Sequence, residues 1–77
     1  MNTIKPGIYE HYKGKHYHVY ELCRHSETEE WLVVYRTLYG DYSLWVRPQE
    51  MFCEDVIIDG KTVPRFKWIR DADNPSL

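Results

Sequence analysis

Six side chains in this 77-residue chain, Tyr35, Arg36, Tyr39, Trp45, Arg47 and Arg65, are of the types that build a recognition surface. Tyr and Trp join an apolar body to a polar tip, which suits a wet groove. A guanidinium over a ring gains a cation–π attraction of about 0.5–2 kcal/mol. Its planar fork also matches a carboxylate or a phosphate. Arg47 lies between Val46 and Pro48, and Arg65 between Pro64 and Phe66, so each has a proline beside it and a ring nearby. An arginine held that rigidly loses less entropy when it binds an anion. The chemistry expected is binding, with a peptide or partner domain laid on flat rings. Proline-rich segments suit such grooves because their extended helix is already ordered. The competing reading is structural. The rings, with Tyr9, Tyr12 and Phe66, would fill the core, and the arginines would pair with Glu50, Glu54 or Asp55. The core is the expected place for most of the rings. For the three arginines both roles stay open.

Other chemistries are less well served. "HYKGKHYH" at 11–18 mixes rings with two lysines, the combination that holds single-stranded RNA or DNA. With Arg36 added, Lys13, Lys15, His16 and His18 form the alternative, a nucleic-acid accessory surface. Ten basic residues against twelve acidic ones, a net charge of -2, provide no long-range pull toward nucleic acid. The lysines then serve more simply to blunt a sheet edge. Four histidines and two cysteines are of metal-ligand type, but no CxxC or HxxxH pair occurs. There is no glycine-rich phosphate loop, no GxSxG and no HExxH. Neither an enzyme, a metal nor a cofactor is expected. Two cysteines, Cys23 and Cys53, are too few for the disulfide framework of a small secreted domain. "MNTIKPGIYEHYKGK" has no apolar stretch, and nothing approaches the roughly 20 apolar residues of a membrane span. A cytoplasmic protein with reduced thiols is the expectation.

The elements that must position these residues are short strands. Seventy-seven residues make one domain with a thin core. Turn signals recur at short intervals, as in a small all-β barrel or sandwich. Strands are expected at 8–12 and 16–25 around the turn "KGK", and from Trp31 to Tyr39. "SETEE" at 26–30 reads as a loop despite its capping-box spacing, because a β-branched, aromatic run follows. On the second strand, period two places Tyr17, Val19 and Cys23 on one face. "LWVR" at 44–47 is a strand that Pro48 ends or confines to an edge. "PQEMF" suits one helical turn, with Met51 and Phe52 plugging the core. Asp59-Gly60 marks a hairpin between "DVII" and "TVPRF". A polar tail at 71–77 is expected to fray, leaving an ordered core of about residues 6–70. The fold expected is a small antiparallel SH3-like barrel of five to six short strands, since closure hides sheet edges.

"GIYEHYKGKHY", "HSETEE", "VVYRTLYG", "WVRPQEMF" and "PRF" follow one another at close spacing. Together they resemble a family of small bacterial domains catalogued as domain of unknown function 1653, from Pro6 to about Phe66. The resemblance implies an SH3-type barrel, occurring alone or attached to other domains. It brings no catalytic residues. An uncharacterised binding or adaptor module remains the functional expectation.

Overall fold

The computed structural model describes residues 4–72. Seven strands and one helical turn follow in order: β1 (Gly7–His11), β2 (His16–Arg24), β3 (Trp31–Thr37), β4 (Leu44–Pro48), α1 (Gln49–Phe52), β5 (Asp55–Ile58), β6 (Lys61–Pro64) and β7 (Phe66–Arg70). The all-β class read from the turn spacing holds, and "SETEE" is a turn and loop. Of the polar tail expected at 71–77, everything beyond residue 72 lies outside the described residues.

Every strand pairing is antiparallel. Five strands form one sheet in the order β4-β3-β2-β1-β7, and β5 and β6 form a separate hairpin. The sheet is not closed. β4 and β7 are its two edges and do not pair with each other, so the SH3-type closure the resemblance implied is not present among the described residues. Side chains bridge the gap instead. Phe52 of α1, directly after β4, stacks parallel on Phe66 of β7, with ring centroids 4.2 Å apart and an interplanar angle of 3°. Phe52 is among the most buried side chains of the molecule.

The core joins these two rings to Tyr9, Tyr17, Val19, Val33 and Tyr35. Tyr17 meets Tyr35, Tyr39 and Phe66 edge to face, the geometry that aligns positive ring edges with negative ring faces. A bulge in β2 between Val19 and Glu21 corrects one expectation. The extra residue, Tyr20, reverses the alternation. Beyond it Leu22 lies opposite core residue Val33 and packs against the core, whereas Cys23 lies opposite Leu32 on the other face. Met51 also departs from expectation. It stays exposed, because a single turn of helix aims only one of two adjacent side chains inward, and Phe52 takes that place.

Local turns follow their residues. The β1–β2 turn closes with Gly14 N–H on the His11 carbonyl at 2.7 Å. Asp59 and Gly60 both take positive φ, 53° and 79°, as a type I′ hairpin requires. Pro48 is the last residue of edge strand β4 and precedes the first residue of α1.

Candidate functional site

In the β3–β4 ladder Val33 faces Arg47 and Tyr35 faces Trp45, so these four side chains share one face. That face turns toward the core. Tyr35 is buried at the bottom, while Trp45, on the edge strand, is half-exposed at the rim. The turn from 38 to 43 brings Tyr39, Gly40, Asp41 and Ser43 to the same side. The result is an open groove of about 320 Å³ lined by these residues with Tyr17, Thr37, Tyr35, Trp45 and Arg47.

Its polar groups are mostly tied down. The Tyr17 and Tyr39 hydroxyls lie 2.9 Å apart. Burial, together with that hydrogen bond, raises the Tyr17 ionisation well above the ordinary tyrosine value. Thr37 Oγ1 donates to the Tyr39 carbonyl at 3.2 Å. The Trp45 indole N–H donates to Ser43 Oγ at 2.7 Å. Lys15 Nζ sits 4.6 Å from the Tyr39 ring centroid.

Arg47 differs. Its guanidinium lies 5.3 Å from the Phe66 ring centroid and 5.9 Å from that of Tyr35. Among the described residues one terminal nitrogen reaches the Met51 sulfur, at 3.5 Å, and the Nε, like that of Arg65, is buried without a partner. Among the described residues the ion pairs are His16–Glu10, Arg24–Glu29 and Arg65–Glu54, and none involves Arg47. The cation is therefore packed on aromatic rings and has no counter-charge among the described residues. It also acts on His11, whose imidazole is held below its ordinary value by burial first and then by Arg47, Arg65 and Lys13.

Of the six residues singled out from the sequence, Tyr35, Tyr39, Trp45 and Arg47 come together here. Arg36 does not. It is one residue from Tyr35 on the same strand, so it faces the other side, where its Nε donates to the Tyr20 hydroxyl at 3.1 Å and its Nη1 to the Tyr42 carbonyl at 2.6 Å. Arg65 takes the structural alternative, an ion pair with Glu54 at 2.9 Å. Tyr17, Thr37, Gly40, Asp41 and Ser43 were missed. Thr37 was within reach, since it has the same parity as Tyr35 on one strand. Tyr17 needed the β2–β3 register, which places it opposite Thr37.

The nucleic-acid set is dispersed. Lys15 is on the groove side over Tyr39, and His16 lies beside Glu10. His18 and Arg36 are cross-strand partners on the opposite face. No three His, Cys, Asp or Glu residues gather as a metal site among the described residues. Both cysteines are free, and burial raises the Cys53 thiol. No helix among the described residues is long and apolar enough to cross a membrane.

Compared with known proteins, residues 7–68 match a family model described as "Protein of unknown function (DUF1653)". The chain belongs to the DUF1653 family. The match runs from the first residue of β1 into β7 and includes every groove residue. A DUF1653 protein from Bordetella bronchiseptica, known from a crystal structure, is similar to it at 35% identity over 95% of both chains, with a TM-score of 0.81. A comparison with curated proteins gives no match. The DUF1653 description names no activity, so any function has to be argued from the groove.

Proposed function

We propose that this chain is a binding module that takes a peptide or a segment of a partner protein in the groove of Tyr35, Tyr39, Trp45 and Arg47. The observation that carries the reading is Arg47: a cation fixed over two rings with no carboxylate paired to it among the described residues. A structural arginine is normally neutralised, as Arg65 is by Glu54. An unpaired one over an apolar floor favours an anionic group from outside, because a charge-assisted hydrogen bond there is shorter and stronger than a neutral one. The half-exposed Trp45 ring beside it supplies the large, rigid apolar contact that dominates binding surfaces.

The test separates binding from folding. Peptides enriched from a displayed random library against the native chain should lose at least tenfold in affinity to Arg47→Gln. That variant should lose about 1 kcal/mol of stability or less, the value of an exposed-to-half-buried cation–π contact. Failure of the library to yield any peptide that binds the native chain refutes the reading. So does Arg47→Gln unfolding the domain, since Arg47 would then be structural.

A further inference from the structure

The edge strand β4 says how such a ligand sits. We infer that the ligand adds to β4 as an extra strand, and that it is an extended segment with a carboxylate two residues from an apolar side chain. This rests on the groove reading above and adds the binding mode and the ligand class.

Hydrogen-bond parity supplies the first step. The register from Leu32↔Pro48 to Arg36↔Leu44 continues to Thr37 and Ser43, where the Thr37 N–H donates to the Ser43 carbonyl at 3.1 Å. In an antiparallel ladder the bonded pairs alternate. Tyr35 with Trp45, and Val33 with Arg47, are therefore bonded pairs as well. Trp45 and Arg47 turn their backbone groups toward β3, and Leu44 and Val46 turn theirs outward to the open edge. Pro48 has no N–H, so the outward row of donors ends there.

The second step is the side chains. Edges are usually defended by lysines, bulges, prolines or covering segments. Leu44, Trp45 and Val46 carry no charge and are 54%, 55% and 53% exposed. Leu44 and Val46 line a second, shallow cleft with Val34 and an edge of Trp45. An extended ligand alternates its side chains across the sheet. One set lies on the groove face beside Trp45 and Arg47, and the other covers Leu44 and Val46. Trp45 and Arg47 are two residues apart, so the ligand's groove-face residues are two apart also: one apolar, against the indole, and one anionic, against the guanidinium.

Charge fixes the polarity of the site. Arg47, at one end of the groove, is a cation with no carboxylate paired to it among the described residues. Asp41 lines the other end, where its carboxylate accepts the Ser43 N–H at 3.2 Å. A single carboxylate near Arg47 satisfies both. A second copy of the chain is the weaker occupant, because three half-exposed side chains fall far short of the roughly 800 Å² per partner of a stable interface.

The experiment uses the full chain and nine-residue peptides from a displayed random library. The enriched peptide is synthesised with each backbone N–H methylated in turn, and with its acidic residue changed to Gln or Asn. Strand addition predicts an alternating pattern: methylation at edge-facing positions weakens binding at least tenfold, and at the intervening positions less than twofold. The acidic-to-amide peptide should lose at least tenfold on the native chain and no further affinity on Arg47→Gln. Amide exchange at Leu44 and Val46 should slow in the complex. A flat methylation scan, with binding still lost on Arg47→Gln, refutes strand addition and leaves the groove reading standing. Failure of every enriched peptide to bind refutes both. A dimer seen by sedimentation without peptide, with Leu44 and Val46 already protected, refutes the inference by giving the edge to a second copy.

Discussion

At the scale of single residues, five shifted groups bear on how stability depends on pH: two histidines, two tyrosines and Cys53. His11 and His18 both sit below the ordinary value of 6.5. Burial is the largest cause for each, followed by cations: Arg47, Arg65 and Lys13 for His11, and Arg36 for His18. Tyr9 and Tyr17 both sit above 10.0 and Cys53 above 9.0, again chiefly through burial. The folded state thus holds all five groups in their neutral forms more strongly than the unfolded chain does. Below pH 6.5 the unfolded chain takes up protons that the folded histidines resist, so stability falls as pH falls. Above about pH 9 the unfolded chain releases a proton that folded Cys53 keeps, and above pH 10 those that the folded tyrosines keep, so stability falls as pH rises. A plateau between about pH 6.5 and 9 follows. Denaturant titrations across pH measure it. Replacing His11 and His18 together, with Asn and Phe, should flatten the limb between pH 6.5 and 5. An unchanged slope in the double variant would show that other groups carry the acid limb.

At the scale of elements, β1 begins on a glycine that no other residue can replace. Gly7 has φ +143°, and a Cβ there would lie 2.5 Å from the Trp68 indole nitrogen and 2.6 Å from the Arg70 carbonyl. Gly14, in the β1–β2 turn, has φ +103° but only open space around it. The two separate backbone strain from collision. Gly14→Ala should cost about 1–3 kcal/mol, the strain of a disfavoured backbone region alone. Gly7→Ala adds a clash with backbone and so should cost more, or abolish folding. Equal losses in denaturant midpoint would refute the steric part. Turns and strand ends of this kind were largely legible in the sequence, through Gly14, Pro48 and Asp59-Gly60. Their residue types act locally. The β2 bulge was not legible, since nothing in Tyr20 itself distinguishes a bulged from a regular position. Missing it placed Cys23 where Leu22 belongs. The site shows the same division. Arg36 could have been set apart from Tyr35 by parity alone. The different fates of Arg47 and Arg65 depend on where Glu54 lands, which is a matter of long-range packing.

At the scale of the whole molecule, the open sheet and the β5–β6 hairpin should behave as two units of unequal stability. The sheet holds the ring cluster and the fully buried Val19 and Val33. The hairpin exposes Ile57 and Ile58 and is tied on at its base. There the Arg65 N–H donates to the Glu54 carbonyl, the Tyr12 N–H donates to the Arg65 carbonyl, and the Arg65–Glu54 ion pair lies alongside, each at 2.9 Å. A two-stranded hairpin is marginal alone in water, and an exposed ion pair contributes about 0–1 kcal/mol. Little apolar burial therefore couples the hairpin to the rest, and it should open without unfolding the sheet. Native-state hydrogen exchange reads this residue by residue. Amides of β5 and β6 should exchange at least tenfold faster than those where β2 pairs with β3, with a weaker dependence on denaturant because less surface is exposed on opening. Glu54→Gln should speed the hairpin amides further while leaving the β2–β3 amides unchanged. Exchange of both sets with one free energy and one denaturant slope would mean a single cooperative unit. In that case the Phe52–Phe66 stack, which joins the segments on either side of the hairpin, would be what couples it to the sheet.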